Sequence, residues 1–307
     1  MLQQIFARLF ASVLTVFGSL VLVFAIVYLL PGDPATVILD PSVASPAEIA
    51  ALRQQLGTDQ PLYRQFLTYL SHMVQGDFGK SLLNDEPVLP KILTHVPATV
   101  TLTLASLLIA ATIGIWLGVL SAVHKNEWID IVARVVGLFA ISMPTFWSGI
   151  LLILVFSVTL GWFPALGSQG WKTLVLPAVA LGLVGAGFTI RLVRNSMLEV
   201  MNEPFIVTLR AKGLSQRIIM YRHILRNALI PVLTVLGILG GDLMAGTVVI
   251  ETVFSRQGIG RVISDALIAK DLPVIQGVIF FTAIVYVLIN LLVDISYSII
   301  DPRIRRA

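Results

Sequence analysis

The sequence predicts an all-α membrane protein with six transmembrane helices, and three observations predict it. The chain is 57% hydrophobic and only 12% charged, against roughly 25% charged for a soluble domain, and its mean hydropathy is +0.91. Six apolar runs approach the roughly 20 residues needed to cross about 30 Å of hydrocarbon at about 1.5 Å per residue. None of them alternates apolar and polar residues at period two, as a barrel strand would, so helices that satisfy their own backbone groups are expected.

The runs lie at roughly 9–30, 98–123, 132–160, 174–194, 228–253 and 273–299. The first, from Leu9 to Leu30, exceeds the h-region of a secretory signal, and no small-x-small site precedes Pro31, Gly32 and Asp33, so it reads as a retained span. The long segment 31–97 is expected to be extracytoplasmic and folded, with small helices that could cap a pore entrance. Pro46 to Leu56 reads as a helix with Ser45 as N-cap and Gly57 just past its end, and Leu62 to Met73 as a second, amphipathic one. The acidic residues Glu48, Asp59, Asp77, Asp85 and Glu86 read as a solvated face. In the third span, Ser142, Met143 and Pro144 predict a kink, because proline lacks the amide donor and clashes with the preceding turn. Gly182, Gly185 and Gly187 predict close helix packing in the fourth. Trp116, Trp162 and Trp171 suit interfaces, and Trp147 a packed position.

Orientation follows from the positive charges of the short loops. With the N-terminus inside, the inner side collects Arg8, Lys125, Arg134, Arg191, Arg194, Arg210, Lys212, Arg217, Arg222, Arg226, Arg303, Arg305 and Arg306; the short outer loops hold Lys172, Arg256, Arg261 and Lys270. Both termini are expected to be cytoplasmic. The chain then reads as one transmembrane domain, 1–307, with a cytoplasmic loop at 196–227.

Catalytic and metal constellations are missing from the pattern. There is no cysteine, and His72, His95, His124 and His223 are scattered without i, i+4 pairing. Gly79, Lys80 and Ser81 imitate the end of a phosphate-binding loop, but Val74 stands where its first glycine is required and no buried strand precedes it. Nucleotide binding and enzymatic activity by this chain are therefore not expected.

Residues 202–231 form the long basic stretch between two apolar spans. Pro204 can open a helix that carries Phe205, Ile206 and Leu209 on one flank, Gly213 can close it in the left-handed conformation, and Ser215 can cap a second helix bearing Arg222 and Arg226. Two short helices joined at a glycine corner can seat in a groove on a soluble partner, with apolar contacts for hold and basic groups for register. The same charges could instead satisfy the positive-inside preference and meet anionic lipid. On the residues alone both readings stand.

The loop is similar to the signature segment of permeases of binding-protein-dependent ABC importers, specifically the first, B-type permease of the dipeptide, oligopeptide and nickel subfamily. The likeness rests on Arg210 to Gly213 (RAKG) and Arg226 to Pro231 (RNALIP). It extends over nearly the whole chain through LPGDP at 30–34, GTDQPLY at 57–63, GDFGKS at 76–81, FSVTLGWFP at 156–164, VIETVF at 249–254 and NLLVDISYSIIDPRIR at 290–305. Two stretches depart: Val207, Thr208 and Leu209 replace a Glu-Ala-Ala triplet, and Arg256, Gln257 and Gly258 replace a usual proline-glycine.

The resemblance implies the type I ABC importer fold in a bacterial inner membrane and half of a pore completed by a second, homologous permease subunit. It further implies two cytosolic ATP-binding subunits, an extracytoplasmic solute-binding protein and surrounding lipid, with no nucleic acid. Leu209, Arg210, Ala211, Lys212, Gly213, Leu214, Ser215 and Arg217 are the residues it assigns to ATPase coupling. ATP and magnesium would belong to the partner ATPases, with no cofactor in this chain. Dipeptides or oligopeptides are the first expectation for the solute, and nickel or glutathione-like solutes the alternative.

Asp242, beside Gly240 and Gly241 in the fifth span, is an ionisable residue within an apolar run, where a carboxylate costs at least about 2.5 kcal/mol. It reads either as a pathway contact for a cationic group or as a helix-packing hydrogen bond. Asp294 in the sixth reads as structural. From a different class, a stand-alone secondary transporter would be expected to carry internal repeats, and none is evident. A non-transporting scaffold is the remaining rival.

Overall fold

The structure, a computed structural model, describes residues 2–29, 35–36 and 44–300, with side chains omitted at 2–9, 26–29, 55–56 and 292–300. The LPGDP stretch at 30–34, the basic tail 301–307 and the side chains of Arg8 and Asp294 therefore lie outside the described residues. The elements, in order, are α1 (Leu2–Leu29), α2 (Pro46–Leu56), α3 (Leu62–Val74), α4 (Val88–Val123), α5 (Trp128–Ser142) and α6 (Thr145–Leu152, extended by the π-helical turn Ile153–Thr159). They continue with α7 (Lys172–Met201), α8 (Pro204–Ala211), α9 (Gln216–Val253, with a π-helical turn at Ile219–Ile224), α10 (Ile259–Ala269) and α11 (Leu272–Ile300).

Among the described residues, α4, α7, α9 and the stretch Leu272–Leu291 of α11 are each long and apolar enough to span a bilayer, and Phe10–Ala25 of α1 is a shorter apolar helix. The expected third span is a broken pair. α5 and α6 meet at 106° across Met143 and Pro144, a much sharper turn than a kink. α4 begins ten residues earlier than expected, because Pro97 is accommodated inside the helix instead of starting it.

The chain divides into two compact units. In the first, Met1–Pro97 with Arg261–Leu288, α2 has the predicted ends. Ser45 Oγ accepts from the Glu48 amide at 3.3 Å while Glu48 Oε2 accepts from the Ser45 amide at 2.8 Å, and Gly57 closes the helix at φ +69°. The Ser45 amide and hydroxyl, both of which donate to Glu48 Oε2, hold that carboxyl below its usual pKa. α3 leans on α1, with Phe66 edge-on to Phe17 and Phe24. The phosphate-loop imitation serves packing: buried Ser81 donates its hydroxyl to Asp271, whose other oxygen accepts from the Leu82 amide at 3.1 Å. A hydroxyl and an amide committed to a carboxylate are not available to an anion.

The second unit, Ala98–Gly260 with Ile289–Ala307, is organised around α7, buried along its length from Leu176 to Met197. The expected close packing of its glycines is present. A Cβ on Gly182 would lie 2.8 Å from the Ser106 carbonyl of α4, and one on Gly187 would lie 2.5 Å from the Gly137 carbonyl of α5, so near-backbone contact excludes larger residues. Two apolar clusters fill this unit. One gathers Leu102, Leu176, Leu181, Leu243, Ile250 and Phe254. The other gathers Val119 and Ala122 of α4, Val193 and Met197 of α7, and Ile206, Ile219, Ile224 and Val232 from α8 and α9. Trp147, expected to be packed, is 43% exposed, because α6 follows the break at Pro144 and presents that face outward.

Candidate functional site

The basic segment adopts the predicted corner. Glu203 is extended, Pro204 opens α8, and the helix closes on Gly213 at φ +78°. The Gly213 amide donates to the Arg210 carbonyl at 2.9 Å and the Leu214 amide to the Leu209 carbonyl at 3.3 Å. This pair of bonds makes a Schellman closure, with Leu209 and Leu214 supplying its customary apolar pair. Ser215 then caps α9, its hydroxyl accepting from the Ile218 amide at 3.5 Å. A Cβ on Gly213 would meet nothing within 4 Å, so the glycine is required by the backbone conformation and not by crowding.

The corner has two faces. Ile206 is 1% exposed and, with half-buried Leu209 and Leu214, inserts among Val119, Val193 and Met197. The π-helical turn that starts α9 contributes to the same seat: its i→i+5 repeat brings Ile219 and Ile224 toward one side, and both are fully buried. Arg210, Ala211, Lys212, Gly213, Ser215 and Arg217 lie on the exposed side. Among the described residues no carboxylate pairs with Arg210, Lys212 or Arg217. Phe205, expected to share the flank of Ile206, is 39% exposed instead and belongs with the open face.

Asp242 stands elsewhere on the same rod. Val235, Ile238, Asp242, Ala245 and Val249 follow one another at intervals of three and four residues and are all exposed, whereas Leu236, Gly240, Leu243 and Ile250 face inward. Asp242 has no hydrogen-bond or ion-pair partner among the described residues. A lone carboxylate within an apolar stripe is expensive against lipid, so this face calls for a polar cavity or a partner chain.

Beyond Asp271, two further buried carboxylates escaped the sequence reading. Glu251, fully buried within the fifth apolar run, accepts from Thr99 Oγ1 at 2.7 Å and from the Gly260 amide at 2.7 Å; Thr99 Oγ1 in turn accepts from the Ile259 amide at 2.8 Å. Arg256, counted as a loop charge, is only 5% exposed, and it reaches the Ala98 carbonyl at 3.4 Å and Thr101 Oγ1 at 3.2 Å. Burial pushes its pKa down while the nearby Glu251 carboxylate opposes that. These bonds fasten the turn after α9 to α4. The second is Asp130, at the start of α5, which binds Arg194 of α7 through Nε at 2.7 Å and Nη2 at 2.9 Å. The available signal was an acidic residue inside or at the edge of an apolar run, applied to Asp242 but not to these two.

Comparison with known proteins bears on this arrangement. Residues 114–306 match the family described as binding-protein-dependent transport system inner membrane component, and residues 1–103 match its N-terminal companion family. The glutathione transport system permease protein GsiC of Escherichia coli (strain K12) is 42% identical over 305 residues, covering 99% of each chain, and that of Salmonella typhi is 41% identical over the same share. Among solved structures, an inward-facing form of the MetNI methionine ABC transporter aligns with TM-score 0.60 at 21% identity, covering 69% of this chain and 97% of that one. A chain of an amino acid ABC transporter crystallised with histidines aligns with TM-score 0.53 at 15% identity, covering 68% and 94%. At such identities these two speak to the fold alone.

Proposed function

The chain belongs to the binding-protein-dependent transport system inner membrane component family, a permease of an ABC importer, and from that premise we propose that it forms half of a pore for short peptides of the size of glutathione. A second homologous permease subunit completes the pore, two cytosolic ATP-binding subunits hold ATP and magnesium, and an extracytoplasmic binding protein delivers the solute. The solute class is supported by the name of relatives that match over 99% of their length. That name favours the alternative, a glutathione-like solute, over the dipeptides and oligopeptides expected first.

The observation that carries the coupling role is the two-faced corner, with Ile206 locked into the body and Arg210, Ala211, Lys212, Gly213 and Ser215 presented outward. Closure of the ATPases on ATP would draw this corner along, and the permease would follow because Ile206 is part of its core. Such a change is driven only by contacts that differ in energy between the inward-open and outward-open states. Asp242 would line the pathway and meet the solute's amino group.

The test is uptake by the complete complex in proteoliposomes, comparing labelled glutathione with a neutral dipeptide and an N-acetylated one. Asp242→Asn is expected to slow solutes with a free amine by about two- to fivefold, of the order of one exposed charge contact, and to spare the N-acetylated one. Equal rates for all three in both forms would refute the pathway role. Failure to transport glutathione beside brisk dipeptide uptake would return the solute to the dipeptide class.

A further inference from the structure

Asp130 opens α5 with no exposure, and its carboxylate is bonded on both oxygens. Oδ1 accepts from Ser121 Oγ at 2.6 Å, near the end of α4, and from Arg194 Nε at 2.7 Å; Oδ2 accepts from Arg194 Nη2 at 2.9 Å and from the Asn126 amide at 3.0 Å. Asn126 holds φ +66°, a left-handed conformation that asparagine tolerates, and thereby aims its amide at the carboxylate. A buried ion pair is a weak source of net stability, since desolvation cancels much of the attraction, and its best use is to fix one arrangement among several.

The arrangement it fixes is informative. Ser121 lies between Val119 and Ala122 on α4, and Arg194 follows Val193 on α7; those apolar neighbours line the cluster that receives Ile206 of α8. The turns of α4 and α7 that hold the coupling helix thus also grip Asp130. α5 contributes no residue to that cluster. Further along, α5 meets α7 at Gly137 and Gly187, where Ile141 of α5 and Ile190 of α7 pack beside the two glycines, before the 106° break into α6. Apolar packing of this kind is non-directional, whereas a bidentate ion pair holds one defined register and cannot shift without breaking.

We infer that the Asp130–Arg194 pair is the fastener through which displacement of α8 reaches α5, making both positioning residues for coupled transport. The inference rests on the reading of α8 as the coupling helix. When α8 moves, α4 and α7 follow through Ile206, and α5 follows in fixed register while Asp130 is held.

The experiment uses the complete complex in proteoliposomes with Asp130→Asn and the milder Ser121→Ala, read as ATP hydrolysed per solute delivered and as retention of the ATP-binding subunits. Asp130→Asn is expected to raise that ratio about tenfold, within the usual range of coupling effects, with the subunits retained, and Ser121→Ala to raise it less. A second readout exploits the lack of cysteine. Spin labels at exposed Val136 of α5 and exposed Glu203 beside α8 should keep one narrow separation through the ATP cycle in the parent protein and a broadened one in Asp130→Asn. A parental ratio in Asp130→Asn, or an unbroadened separation, overturns the inference. Loss of the ATP-binding subunits from that variant overturns it too, by making the pair a support for docking. Normal uptake in a chain with Gly213→Val would instead sink the coupling reading and leave the spin-label separation to judge the pair.

Discussion

The rod α9 is bounded by two glycine turns that need glycine for opposite reasons. At one end, Gly213 holds φ +78° in open space. At the other, after the rod ends at Val253, a Cβ on Gly260 would lie 2.4 Å from the Val248 Cα and one on Gly258 would lie 2.1 Å from Glu251 Oε1. The first turn is shaped by backbone conformation and left uncovered; the second is shaped by crowding and sealed around a buried carboxylate. With 38 residues at about 1.5 Å each, the two turns stand roughly 57 Å apart. One end of the rod is thus finished within this chain, and the other is left open, as the proposed coupling role requires.

That contrast can be broken by substitution. The largest effect is expected from Glu251→Ala, which strands the Thr99 hydroxyl and the Gly260 amide at about 1–3 kcal/mol for each unsatisfied group. A clear drop in thermal unfolding temperature, together with lost uptake, is the expected result. Gly260→Ala should follow at about 1–3 kcal/mol of overpacking, since the obstacle is backbone and cannot swing away. A melting curve that matches the parent's would show the sealed turn to be looser than described.

Gly213→Val should act differently. A β-branched residue resists the left-handed region by about 1–2 kcal/mol, enough to displace the corner, so uptake is expected to fall about tenfold while the unfolding temperature barely moves. Gly213→Asn should retain most uptake, because asparagine tolerates that conformation. If both fail alike, space against a partner, not backbone shape, is what the glycine provides. The smallest effect is expected from changing Arg210, Lys212 and Arg217 together to Glu. Exposed charges contribute about 0.2–1 kcal/mol each, so coupling should weaken several-fold and recover partly at high salt. Unaltered ATP use per solute in that variant would favour lipid as their partner.

The uncovered turn was readable in the sequence and the sealed one was not. Pro204, Gly213 and Ser215 are local signals, each acting within four residues, and the same is true of Ser45, Glu48 and Gly57 around α2. Glu251 and Thr99 are 152 positions apart, and nothing in their neighbourhoods announces the pairing. Arg256 read as a loop charge because a basic residue outside an apolar run is normally solvated, yet its head is enclosed by α4. The break between α5 and α6 was marked by Pro144, but its angle depends on what α6 packs against. The glycines of α7 were legible as packing residues, while the ion pair that holds α5 beside them depends on Asp130 lying just outside the apolar run.

The most direct test of the central claim, that the Gly213 corner seats on a cytosolic ATP-binding subunit, is site-specific crosslinking in the assembled complex. The chain lacks cysteine, so a single Ala211→Cys carrying a short photoreactive group reports only on the exposed face of α8. The account predicts a covalent adduct with the ATP-binding subunit whose yield changes on ATP binding. Adducts confined to lipid, with the ATP-binding subunit present but unlabelled, would contradict it.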